Sequence, residues 1–216
     1  MCYNLQFTTD NLQIIVFKFL IKNLTIVNCQ LSVVNKKIMI FKHTIKEYGI
    51  TVNNNEISFN NGVSFKSASL ASHLKDCFKC YCLAATLGHG IDSEINKLQI
   101  TSVAEALELD KQANKLLEQK LNDLLHELEF NEKQYGNFVT QRFSVGYGDF
   151  DIKYQQTMLD LTNAAKIIGL TLTNSNLLLP QKSVTAIIGV RKIFLPHKCK
   201  CDDCGFKSSC NKQNEK

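Results

Sequence analysis

Apolar and polar positions change their period several times along the chain, and each change marks an element. Residues 12–42 are dense in Ile, Val, Phe and Leu, with scattered Lys and Asn and neither glycine nor proline. That pattern predicts two or three strands of a buried or half-buried sheet. Residues 49–65 alternate around Asn53-Asn54-Asn55 and Asn60-Asn61-Gly62, as short strands joined by turns do. Leu70, Ala71 and Leu74 then fall at helical spacing, and a short helix is expected over 67–75. Residues 77–85 form a nearly continuous apolar stretch, the pattern of a strand covered on both faces. It ends in a glycine turn, Thr-Leu-Gly-His-Gly at 86–90, where ligand loops often lie. The lone His89 in that turn reads as a solvated side chain.

Ser102 and Glu105 have the spacing of a capping box, in which each side chain satisfies a backbone N–H left free at a helix start. The helix it opens is long. Val103, Ala106, Ala113, Leu117, Leu121, Leu124 and Leu128 recur mostly at threes and fours, so one stripe is expected to face the core while Glu118, Lys120 and Asn122 mostly face elsewhere. A coiled-coil dimer would use the same stripe, but intramolecular packing is favoured because the run is close to the shortest that such a coil needs. Further on, Asp149 or Asp151 is placed to cap a second helix carrying Tyr154, Met158, Leu161, Ala165 and Ile168, with Gly169 as its stop. Two strands are expected at 170–173 and 183–190. Strands and helices mix without strict alternation, which makes the chain α+β, with a mixed, mainly antiparallel twisted sheet.

Between the two helices, residues 142–149 read Arg-Phe-Ser-Val-Gly-Tyr-Gly-Asp. Gly146 and Gly148 can take positive φ, so the chain can turn sharply on both sides of Tyr147 and present the phenol at a loop tip. Arg142 is a planar donor fork suited to a carboxylate or phosphate, and backbone N–H groups freed in such a turn can read the polar edge of a small ligand. The stretch reads as a ligand clamp. Its plainer alternative is a hairpin or strand-to-helix turn with a surface arginine and a packed tyrosine.

Composition adds few constraints. The 216 residues are 44% hydrophobic and 21% charged, ordinary for a globular domain with a real core. Net charge is +5, of which the segment from Arg191 onward contributes seven Lys and Arg against three acidic residues. Nine cysteines, seven of them in two short clusters, accompany no secretory signal, and Lys18 and Lys22 interrupt the apolar run at 12–20 too early for a membrane span. A reducing cytoplasm is the expected compartment, with cysteines as metal ligands or core residues rather than disulfides.

The two cysteine clusters differ. Cys77, Cys80 and Cys82 sit among Phe78, Tyr81 and Leu83 and read as buried strand residues. Cys199, Cys201, Cys204 and Cys210 lie in a polar tail, with Gly205 free to turn N–H groups toward thiolates, and offer four ligands to a metal. Zinc would make the tail a structural staple, and an iron–sulfur cluster would make it an electron source. Thiolates around such a centre would offset about half of the basic charge there. The chain is thus expected to consist of an α+β domain, 1–195, and a Cys-rich tail, 196–216.

Four stretches together resemble the activation domain of cobalamin-dependent methionine synthase in a short, stand-alone form. They are Ala-Ala-Thr-Leu-Gly at 84–88, the clamp at 142–149, Ile-Gly-Leu-Thr-Leu-Thr at 168–173, and Pro-Gln-Lys-Ser-Val-Thr-Ala-Ile-Ile-Gly at 180–189. The resemblance covers about residues 62–190. Val145 stands where the family usually has proline and Ala186 where it has glycine, which removes some turn rigidity and adds a methyl at a close backbone approach. The resemblance implies binding of S-adenosylmethionine for the reductive remethylation of cob(II)alamin. Carried onto this chain, Arg142 would pair with the methionyl carboxylate, Ser144 would meet the adenosyl part through its backbone, Gly146 would shape the turn, Tyr147 would lie near the methyl donor, and Glu118 would take the ammonium. A chain of this length has no room for folate, homocysteine and cobalamin domains. The implied partner is therefore a separate methionine synthase or other corrinoid protein, served by an electron donor, with cobalamin on the partner and the chain itself an accessory component.

Two other classes fit parts of the sequence. An iron–sulfur tail without S-adenosylmethionine would make a purely reductive activator of a corrinoid protein. A zinc knuckle with basic flanks would make a nucleic-acid module, but no aromatic stacking series accompanies the lysines.

Overall fold

The computed structural model describes residues 39–195. The chain divides into two units, Met1–Ile40 and Phe41–Lys216, and every described element belongs to the second. The strands expected within 12–38 and the cysteines of the tail lie outside the described residues.

Three strands open the unit: β1 (Lys42–Asn53), β2 (Glu56–Phe59) and β3 (Ser64–Lys66). A short helix, α1 (Ala68–His73), leads into β4 (Cys77–Thr86). Two helices follow, α2 (His89–Thr101) and the long α3 (Val103–Lys133). The short strands β5 (Phe138–Val139) and β6 (Phe143–Ser144) come next. After a 3-10 turn come α4 (Gln155–Thr162) and α5 (Ala164–Ile168). A small ribbon of β7 (Thr171–Leu172) and β8 (Leu178–Leu179) precedes β9 (Ser183–Arg191).

The main sheet runs β3-β2-β1-β4-β9-β5, with β6 also on β9, and every described strand pair is antiparallel. This α+β architecture bears out the expected class. Strand β4 is central, and its two sets of alternating side chains meet different neighbours. Cys80 and Cys82 join the core made with Ile57, Phe65, Leu70, Phe150, Met158 and Ile187, while Ala84 packs with Leu159, Ala164, Ile168 and Leu170. On the other face Tyr81 reaches Glu132 of α3. Cover on both faces is why the strand reads as an unbroken apolar run.

Four expectations change. Strand β1 runs through 43–48, which the pattern did not mark; there the ladder partner is β4, while β2 pairs with 50–53. Helix α2 was not expected at all; Ile91 and Ile95, one turn apart, are its buried face. Ser102 stands at the N-cap of α3 with extended backbone but makes no side-chain cap bond, so the capping box is present in residue type and absent in bonding. The buried stripe of α3 is Ala106, Leu109, Ala113, Leu117, Leu121 and Leu125, whereas Val103 is 71% exposed.

The second helix is broken. Asn163 adopts φ 54°, a left-handed conformation that asparagine tolerates better than most residues, and separates α4 from α5. Thr44 Oγ1 donates to Thr162 O at 3.0 Å, which uses a carbonyl that a continuous helix would engage. Ala164, not Ala165, then faces the core. Among the described residues no helix is long and apolar enough to cross a membrane.

Candidate functional site

Strand β6 pairs with β9 through Phe143–Ile187 and Ser144–Ala186, which fixes Arg142 at the sheet edge beside the middle of α3. Arg142 Nη2 lies 2.7 Å from Glu118 Oε2 and donates to Asn122 Oδ1 at 3.2 Å. Glu118 and Asn122 are four residues apart and so share one helix face. Both therefore turn toward the clamp, which corrects the expectation that they face elsewhere; only Lys120 does, pairing with Asp123.

A cavity of about 280 Å³ opens between α3 and the paired ends of β6 and β9, near the lower end of the range for small-molecule clefts. Its lining includes Glu118, Arg142, Ser144, Val145, Tyr147 and Gln155, closed by Leu178 and residues 183–185. Four of the five residues singled out from the sequence thus share one cavity. Gly146 does not line it; at φ 91° it shapes the loop that carries Tyr147.

The clamp loop is tied from within. Gly146 N donates to Phe150 O at 2.7 Å, Tyr147 N to Ser144 O at 3.2 Å and Phe150 N to Tyr147 O at 3.0 Å. These donors are not free for a ligand, contrary to expectation, so the loop offers side chains. Tyr147 is 61% exposed at the cavity mouth and stands edge-on to Phe143. Ala186 is fully buried, and the ladder passes through it on both sides without irregularity.

Asp149 does not cap the helix that follows it; of the two candidates, Asp151 stands at the turn that leads into that helix. The Asp149 carboxylate crosses to the start of α1, accepting from Ser67 Oγ at 2.5 Å, Ala68 N at 2.7 Å and Ser69 N at 2.9 Å. The Ser67 hydroxyl and these two N–H groups hold its carboxyl well below the usual carboxylate range. Asp151 caps the 3-10 turn by accepting from Lys153 N at 2.9 Å.

Sequence reasoning missed Asn122, Gln155 and Thr185. Thr185 Oγ1 donates to Gln155 Oε1 at 2.5 Å in a buried pair across β9 and α4. The four-residue step from Glu118 was the available signal for Asn122. Nothing local marks the other pair, whose members lie thirty positions apart.

Cys77, Cys80 and Cys82 are free and buried, as expected of strand residues. Burial pushes the Cys77 thiol up to about 12, and a hydrogen bond with Cys82 together with burial pushes Cys80 up as well. Metal ligation needs thiolates, which these surroundings disfavour. No group of three or more ligating side chains suited to a metal ion occurs among the described residues. His89 is exposed at the start of α2, away from the cavity lining.

A solved structure with this arrangement of elements is the crystal structure of the MetH reactivation domain bound to AdoHcy, at a TM-score of 0.60 over 88% of this chain and 70% of that one. The fold is that of the MetH reactivation domain. Sequence identity between the two is 14%. No family model matches the sequence, and no curated protein matches it.

Proposed function

We propose that the cavity binds S-adenosylmethionine and that the protein supports the reductive remethylation of cob(II)alamin in a separate cobalamin-dependent methionine synthase. The observation that carries this reading is the opposed pair of charges in the cavity wall, Arg142 and Glu118 at 2.7 Å, on a fold that the MetH reactivation domain uses around AdoHcy. An α-amino acid group is a zwitterion of matching polarity. Its carboxylate takes the Arg142 fork and its ammonium takes Glu118, each through a charge-assisted bond. Ser144 and Gln155 then face the adenosyl part, and Tyr147 at the mouth presents an aromatic face near which a sulfonium is favoured. S-adenosylmethionine supplies the methyl group, while this chain holds and orients it. The corrinoid and the electron donor belong to partners, and the cysteines of the tail, outside the described residues, are proposed as ligands for zinc or an iron–sulfur cluster.

A thermal-shift titration with S-adenosylmethionine tests binding, because a ligand that binds only the folded state adds about 2.7 kcal/mol at a hundredfold excess over its Kd. Function is tested by adding the protein, S-adenosylmethionine and an electron donor to a synthase that lacks its own activation domain. Turnover should recover in proportion to the protein added, since no covalent tether raises its effective concentration. Equal recovery without the protein would refute the assignment.

A further inference from the structure

Asp110, Asn114, Glu118 and Asn122 follow one another at four-residue steps on α3, so their side chains form one line along the helix. This line grips two cations. Arg142 is held by Glu118 and Asn122. Lys182 Nζ lies 2.6 Å from Asp110 Oδ1 and donates to Asn114 Oδ1 at 3.0 Å, while Asn114 Nδ2 donates back to Asp110 Oδ2 at 3.0 Å. Each cation immediately precedes a strand of the cavity wall, Arg142 before β6 and Lys182 before β9. Two clasps thus join α3 to that wall, and only the Arg142 clasp lines the cavity.

The Lys182 side chain is not needed to hold its own loop. Leu87 N donates to Lys182 O at 2.9 Å, and Gln181 N donates to Asp92 Oδ2 at 2.6 Å, so the backbone there is pinned without it. Its side chain is 14% exposed and therefore less screened than a surface pair. Burial of the apolar stripe fixes which face of α3 turns inward, but a stripe about 100° wide tolerates small rotations. Directed bonds at its edge set the finer rotation. When a ligand carboxylate takes the Arg142 fork, the Arg142 clasp loosens, and the Lys182 clasp is the one that remains.

We propose that Lys182 is a positioning residue, whose clasp on Asp110 and Asn114 sets the rotation of α3 that aims Glu118 into the cavity. This rests on the reading of the cavity as a site for S-adenosylmethionine. The test measures binding of S-adenosylmethionine and of 5′-methylthioadenosine, which lacks the amino acid, to wild type, Lys182→Met and Lys182→Arg, with amide hydrogen exchange over α3. Lys182→Met should weaken S-adenosylmethionine binding roughly three- to thirtyfold, leave 5′-methylthioadenosine binding unchanged, and speed exchange over 114–122 but not 125–133. Lys182→Arg should retain most of the affinity. Equal weakening toward both ligands, or unaltered exchange over 114–122, overturns the proposal. If wild type binds neither compound, the reading of the cavity fails, and the exchange measurement alone decides for or against the clasp.

Discussion

Asp149 Oδ1 and Ser67 Oγ are 82 positions apart in the chain and 2.5 Å apart in the fold. Through that bond the clamp loop supplies the carboxylate that finishes α1, and α1 in turn fixes the loop end from which Tyr147 projects. Asp149→Ala should cost about 0.5–2 kcal/mol, as loss of a helix cap does, measured by urea denaturation. The folded-state pKa is lowered, so the folded protein gives up this proton at lower pH than the unfolded chain does. The contribution is complete above about pH 5 and is lost as pH falls through about 4 toward the lowered value. Asp149→Asn should flatten this acid limb; an unchanged limb would remove Asp149 as its source.

Arg142→Ala should weaken S-adenosylmethionine binding by about 1.5–3 kcal/mol, the cost of a hydrogen bond to a charged group. Arg142→Lys should also bind less well than wild type, because an ammonium lacks the planar fork, though less severely than the alanine variant. Calorimetric titration decides, and equal affinity in wild type and Arg142→Ala would exclude Arg142 from the site.

Glu132 is buried at the far end of α3, with Oε1 2.8 Å from Lys79 Nζ and bonded to Tyr81, and Oε2 2.6 Å from Asn137 Nδ2. Burial alone would raise its pKa, but bonds from Lys79, Tyr81 and Asn137 outweigh it and the net shift is downward. Without Glu132, Lys79 keeps its ion pair with Glu47 at 2.9 Å but Tyr81 and Asn137 lose their acceptor, so Glu132→Ala should lose about 1–3 kcal/mol. Chemical denaturation is the check, and a loss under about 1 kcal/mol would mean that the network behaves as a surface pair.

Gly189 lies where a Cβ would fall 2.6 Å from Cys77 Sγ and 2.8 Å from Leu74 Cδ2. Gly189→Ala should therefore destabilise by about 1–3 kcal/mol through overpacking. A neutral result in a melting experiment would show that Leu74 and Cys77 can yield.

Protein purified without oxygen should carry about one zinc ion, or several irons with matching sulfide, lost when Cys201 and Cys204 are changed to serine. Elemental analysis distinguishes the outcomes. Metal that survives that double change and disappears with Cys77 and Cys80 altered would overturn the assignment to the tail.

What the sequence determined by itself was local. The apolar run at 77–85, the stripe of α3 and the glycines around Tyr147 each encode their conformation within a few residues, through burial pattern, helical period and positive φ. Arg142, Ser144 and Tyr147 were legible as one group because they are neighbours in the chain. Only the tertiary structure decided which groups meet across long separations. Asp149 was read, with Asp151 as the alternative, as the cap of the helix that follows, yet it bonds at a helix start 82 positions earlier, because a carboxylate on a turn takes whichever N–H groups packing brings near. The break at Asn163, the pairing of Gln155 with Thr185 and the grip of Asp110 on Lys182 likewise depend on partners that no local pattern names. Propensity and periodicity act over one or two turns of chain, whereas directed polar bonds act at contact distance, and which residues are in contact is settled only when the sheet closes.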